Sequence, residues 1–222
     1  PGVQRWLKFS KYLPEFGIQP IIYKPKNPSY PILGFSLEVS PEVVVLEKPI
    51  FEPYAMANLL SKDDTKTISS GIIKLKARQS WSEQLMLYIR GNFFIPDARK
   101  FWVKPSVDYL KEYLSNSQID TISTTGPPHS MHLIGKALKQ ANPHLQWIAD
   151  FRDPWTTIGY HSALKLTVSS QVKHKALEKE ILDSADQLIV TSSQTKGEFE
   201  TKTKTPIDVI TNGFEDTPMY VE

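Results

Sequence analysis

The residues best suited to chemistry in this chain of 222 residues fall into four short segments. Asp150-Phe151-Arg152-Asp153-Pro154-Trp155 crowds two carboxylates and a guanidinium together. Such charges are costly to bury unless paired, so Arg152 is expected to bridge one carboxylate and leave the other for a ligand. In Thr124-Thr125-Gly126-Pro127-Pro128-His129-Ser130, Gly126 permits a sharp turn that Pro127 and Pro128 stiffen. His129 then falls where a helix dipole favours the neutral imidazole, a form able to move a proton or bond a hydroxyl. At the start of the chain Gly2 lets backbone approach a phosphate and Arg5 can pair with it. Thr211-Asn212-Gly213-Phe214 completes the set with an Asn-Gly turn. Each segment also has a plainer reading: an ordinary helix start, a partly exposed cap histidine, an ion pair covered by Trp155, and a turn.

The elements that must position these residues follow from periodicity. Helical spacing runs from Val3 to Leu13 and stops at Pro14 and Gly17. Ile18 to Tyr23 and Val43 to Leu46 read as strands, the second without alternation and so expected to be buried on both faces. A short helix is expected over Phe51 to Lys62, then a polar, mobile stretch to Ser80, then helices over Trp81 to Arg90 and Asp97 to Leu114, with a kink at Pro105. Beyond this, strands at Ile119–Thr124, Leu145–Phe151, Gln187–Thr191 and Ile207–Ile210 alternate with helices at Ser130–Gln140, Leu164–Ser184 and Thr195–Thr201. Alternation without hairpins predicts one α/β domain with a doubly wound, mainly parallel sheet, which binds ligands at the carboxyl ends of its strands. All four segments lie at such ends.

Composition narrows the classes. Lys and Arg number 26 against 24 Asp and Glu, a formal charge of +2, so no global field favours nucleic acid. The absence of cysteine excludes disulfides and thiolate chemistry and suits the cytoplasm. Walker A, intact GxGxxG, His-x-x-x-His and Gly-x-Ser-x-Gly patterns are missing, and His161 and His174 stand alone, as surface histidines do. The basic, aromatic stretch Ile72 to Phe94, with Lys74, Lys76, Arg78, Trp81, Leu85, Leu87, Arg90, Phe93 and Phe94, could rest on an anionic membrane or pack as an amphipathic helix.

Taken in order, GVQRW at 2–6, TTGPPHS at 124–130, IADFRDPW at 148–155, LEKEILDSADQLIVTS at 177–192 and VITNGF at 209–214 resemble the N-terminal domain of bacterial family 4 glycosyltransferases. The resemblance implies one half of a GT-B fold. It also implies a retaining transferase that moves a sugar from a nucleotide-diphosphate donor to a saccharide or lipid-linked acceptor, in polysaccharide or glycolipid synthesis. No metal or other cofactor is expected, and no nucleic acid. The enzyme would be cytoplasmic, or peripheral on the inner face of the cell membrane. Residues 1–214 would form the acceptor-side domain without its first strand, and 215–222 would open the linker to an absent donor-binding domain, leaving the isolated piece inactive. By carry-over Gly2 belongs to the glycine-rich loop near the donor diphosphate. His129 and Asp153 take the catalytic places in the cleft, and Arg5, Gly126, Arg152, Asn212 and Gly213 bind substrate. Thr124 and Thr125 stand where many family members end the strand with a histidine. The alternatives are a non-catalytic module that docks partners or membrane, and a sugar-nucleotide epimerase of the same fold.

Overall fold

In the computed structural model, residues 2–28, 41–52 and 81–213 are described. Helix α1 (Gly2–Tyr12) runs into a 3-10 turn, Leu13–Phe16. Gly17 closes the turn in the left-handed region at φ 74°, its amide bonded to the Pro14 carbonyl at 3.0 Å. Strands β1 (Ile21–Pro25) and β2 (Val44–Lys48) pair in parallel. Helices α2 (Trp81–Phe93) and α3 (Lys100–Ser115) follow, and then β3 (Thr121–Gly126), α4 (Ser130–Ala141), β4 (Gln146–Phe151), α5 (Val168–Ser184), β5 (Gln187–Val190), α6 (Ser193–Glu200) and β6 (Ile207–Val209). The architecture is α/β with parallel sheets, as the alternation of elements predicts.

Four features differ from the sequence reading. The strands form two sheets, β1-β2 and β3-β4-β5-β6, rather than one. The outer edges of β1 and β3 have no strand partner among the described residues. Strand β2 is not buried on both faces, for Val44 is 47% exposed; an apolar run of four reads alike in a central strand and a two-stranded ribbon. Helix α3 continues through Pro105, since a proline in the second turn forfeits a single backbone bond. The helix expected over Phe51 to Lys62 begins as coil at positions 51–52, and the rest of it, with the polar stretch to Ser80, lies outside the described residues.

Strand β4 is the spine of the larger sheet. Trp147, Ala149 and Phe151 alternate onto one face, all at 0% exposure, and pack with Leu188 and Val190 of β5, Ile181 and Leu182 of α5 and Phe199 of α6. Trp147 lies across Gly135 of α4, where any β-carbon would strike the indole. A glycine is therefore what lets helix and strand approach this closely. Asp150 alternates to the opposite face, where α1 reaches it, so helices cover both faces. Tyr23 of β1 stacks on Trp102 of α3 at 4.9 Å and donates to the Ser106 hydroxyl at 2.9 Å. Trp102 in turn packs with Ile134 and Leu138 of α4, and Ile122 of β3 touches this cluster as well as the larger one. Both sheets thus share one apolar interior.

Candidate functional site

The register of the larger sheet brings the candidate residues to one end. Thr125 of β3 lies opposite Asp150 of β4, and Gly126 opposite Phe151. The loops leaving these strands are joined to each other: the Arg152 amide donates to the Gly126 carbonyl at 3.0 Å and the Arg152 guanidinium to the Pro127 carbonyl. The Thr191 hydroxyl, at the end of β5, donates to the Arg152 carbonyl at 2.8 Å. Peptides Gly126–Pro127 and Pro127–Pro128 are both cis. His129 stacks face to face on Trp155 at 4.8 Å, with their planes 2° apart. Gly126, His129, Arg152 and Trp155 therefore form one block.

A second group surrounds Asp150. Its fully buried carboxylate accepts from Trp6 Nε1 at 2.7 Å, from the Thr125 hydroxyl at 2.9 Å and from Arg5 at 3.4 Å. Arg5, itself buried, also donates to the Thr211 carbonyl at 2.9 Å and to Asn212 Oδ1 at 3.3 Å. These bonds correct two expectations. Arg152 does not bridge Asp150, because Arg5 is already there and the Arg152 side chain turns to Pro127. Arg5 is engaged with Asp150 and the 211–212 loop rather than held open for a phosphate. Asp153 has no hydrogen-bonding or ionic partner among the described residues and stays partly exposed. Of the two carboxylates in this segment, it is the one that no described group engages. Gly2 lies in the first turn of α1, one turn before Arg5, and Gly213 is exposed beside Asn212.

The imidazoles are the largest departure from sequence reading. His129 is 94% buried by its 6% exposure, makes no capping bond, and has both ring nitrogens sealed without a partner. Burial, followed by the nearby His132 and Arg152, pushes its pKa well below the ordinary value. His132 was not singled out by its sequence, although a His-x-x-His spacing places two imidazoles on one face of a helix start. It packs on Phe151 at 4.3 Å and has its pKa lowered by burial, and then by Arg152, to about 3. Thr124 accepts from Trp147 Nε1 and bonds His132 Nδ1, both at 2.9 Å. Assigning the hydroxyl proton to that Nδ1 puts the neutral ring's own proton on Nε2. Ring atoms of His132 and His129 press on Gly126: a β-carbon there would lie 2.6 Å from His132 Nε2 and 3.2 Å from His129 Nδ1.

His174 is not a surface residue, and His161 is half-buried. His174 is 1% exposed and accepts from Trp155 Nε1 at 3.1 Å, and its pKa is lowered chiefly by burial. His161, 4.7 Å from His174, is depressed to about 4, again mainly by burial. Four neutral imidazoles therefore surround Phe151 and Trp155.

Asp97 is the other residue the sequence concealed. Its carboxylate accepts from the Ser130 amide at 2.9 Å and the Ser130 hydroxyl at 2.7 Å, and so occupies the N-terminus of α4. The spacing of 33 residues hides this cap from any local pattern. Glu178, 2% exposed, braces the next loop: it accepts from the Thr156 amide and hydroxyl at 3.0 and 2.8 Å and pairs with Lys202 at 2.9 Å. Beside that loop runs a groove of about 400 Å³ lined by Thr156, Thr157, Gly159, His161, Gln171 and Lys175.

The arrangement is a rigid frame with one uncommitted carboxylate at its rim, able to orient a hydroxyl or accept its proton. Compared with protein-family models, with curated protein sequences and with solved structures, the chain matches none.

Proposed function

We propose that this chain is the acceptor-side domain of a retaining glycosyltransferase of the GT-B fold, and that it presents a saccharide or lipid-linked hydroxyl to the anomeric carbon of a nucleotide-diphosphate sugar. The observation that carries the reading is the joining of the loops after β3 and β4, the two segments most like that family, into one block at the carboxyl end of a parallel sheet. Asp153 stands beside it, unpaired among the described residues. The shared core beneath two separate parallel sheets also suits the family's central strand, which would add between β1 and β3.

In this reading Asp153 orients the acceptor hydroxyl, and His129, neutral and stacked on Trp155, fixes the loop that carries it. Orientation supplies much of what such a transfer needs from the acceptor side, because the leaving diphosphate demands its positive charge elsewhere. Donor binding therefore belongs to a second domain of the complete gene product. The test is release of nucleotide by that product when it is offered a panel of nucleotide-sugars with saccharide and lipid-linked acceptors. Acceptor-dependent release that falls in Asp153→Asn is expected. Absence of release across the panel overturns the reading.

A further inference from the structure

Asn212-Gly213 is the single Asn-Gly pair in the sequence. Both residues are exposed and follow β6 outside any helix or strand. A side-chain amide joins the next backbone nitrogen when that nitrogen is free to attack, the side-chain carbonyl is polarised and the amide nitrogen is free to leave. The Gly213 nitrogen donates to no described group. Asn212 Oδ1 accepts from Arg5 Nη1 at 3.3 Å, and the same Nη1 donates to the Thr211 carbonyl at 2.9 Å. Arg5 is only 7% exposed, so its charge reaches that oxygen with little screening by water. Asn212 Nδ2 bonds nothing among the described residues.

Other asparagines of the chain show the contrast. Asn116 precedes the small residue Ser117, yet the Ser117 amide donates to the Leu114 carbonyl at 3.2 Å and Asn116 Nδ2 to the Glu112 carbonyl at 2.9 Å. Asn92 precedes the bulky Phe93, and its Nδ2 donates to the Tyr88 and Lys165 carbonyls at 2.8 and 3.2 Å. Asn27 and Asn142 precede proline, whose nitrogen carries no hydrogen to give up.

We propose that Asn212 is a self-modification site that converts to aspartate and isoaspartate, with Arg5 stabilising the reacting oxygen. The Gly213 nitrogen loses its proton to solvent base and bonds to Asn212 Cγ, and negative charge collects on Oδ1, where Arg5 donates. The Cγ–Nδ2 bond then breaks, and Nδ2 takes a proton and leaves as ammonia. Water adds to either carbonyl of the resulting succinimide ring and reopens it. One route restores the backbone with aspartate; the other carries the backbone through the side-chain carbon as isoaspartate. Nothing is oxidised or reduced. Each product sets a carboxylate in place of a neutral amide, and Arg5 then faces that group as well as Asp150. The chemistry is separate from glycosyl transfer and needs no sugar.

Incubation of the folded protein in mildly alkaline buffer, followed by peptide mass spectrometry, tests it, with labelling by an isoaspartate-specific methyltransferase as a second reading. The expected result is replacement of NH2 by OH at Asn212, with isoaspartate at that position, while Asn116 in the same sample keeps its amide. Conversion at Asn212 is faster in the folded protein than in the chain unfolded by urea. For Gly213→Ala, no atom lies within 4 Å of a β-carbon built there. That variant therefore keeps the fold while it crowds the attacking nitrogen, and conversion is lost over the same incubation. Arg5→Lys slows conversion about tenfold or more, the loss of one charge-assisted hydrogen bond to the reacting oxygen. The proposal is overturned if the folded protein converts Asn212 no faster than the unfolded chain does, a comparison that needs no variant to fold. It also falls if folded Arg5→Lys reacts as the parent does, or if Asn116 reacts as fast as Asn212.

Discussion

Acidification is the perturbation to which this fold is most exposed. His129 and His132 are buried neutral, with folded pKa values below the unfolded value of about 6.5. A group depressed in this way stabilises the fold fully above its unfolded pKa, and that contribution is lost as pH falls from there towards the folded pKa. For His132 the window runs from about 6.5 down to about 3. While these rings stay neutral in the fold, each becomes protonated in the unfolded chain, so His129 and His132 together remove about 3 kcal/mol of stability between pH 6.5 and 5, and His161 and His174 act in the same direction. That is a large share of the 5–15 kcal/mol typical of a domain. Between pH 6.5 and 5 the carboxylates with depressed pKa values, Glu47, Asp183 and Asp186, keep their contributions, which disappear only at lower pH. Urea midpoints at about pH 7, 6 and 5 measure the slope, and His132→Gln should reduce it by about one proton, at most about 1.4 kcal/mol per pH unit. Stability that stays level over this range, or imidazole NMR signals from His129 and His132 titrating near pH 6.5 in the folded protein, would refute the reasoning.

Three substitutions probe the frame and its rim. Gly126→Ala forces a β-carbon against His132 and His129 and should cost about 1–3 kcal/mol by thermal or urea denaturation; a neutral result means the imidazoles are not packed on that glycine. Arg5→Met leaves the Asp150 charge buried with only Trp6 and Thr125 to hold it and should cost about 3–5 kcal/mol. A loss below about 1 kcal/mol would show that the Arg5–Asp150 pair does not hold α1 to the sheet. Asp153→Asn removes no bond among the described residues and should alter stability by no more than about 0.5 kcal/mol, while acceptor-dependent turnover falls well below that of the parent. Loss of stability without loss of turnover would make Asp153 a structural residue.

The α/β class was legible because alternating apolar runs and helical periods are local signals, and β4 and α4 lie within two residues of where those signals place them. The grouping of candidate residues at strand ends followed from the parallel sheet itself. What stayed hidden was long-range. Nothing near Asp150 announces that its partner is Arg5 rather than Arg152, since the two arginines compete across a separation of 145 positions. Asp97 at the start of α4 is concealed in the same way. His161 and His174 looked solitary because burial against Trp155 is a property of packing, not of spacing. The division into two sheets escaped for a related reason: strand adjacency is decided by which edges meet, and an apolar run carries no mark of its neighbour.

The bonds from Arg5 to Thr211 and Asn212 span 206 and 207 positions, which couples this fold to the direction of protein synthesis. Helix α1 leaves the ribosome before the strands it packs against, yet its guanidinium cannot be fully seated until residues 211–212 have emerged. A nascent chain that has passed Asp150 but not Thr211 holds its buried carboxylate with Arg5 tethered at one end only. Truncation before position 211 should therefore leave α1 loosely held, and translational pausing in that interval would extend the time during which Trp6 and Phe9 are open to chaperones.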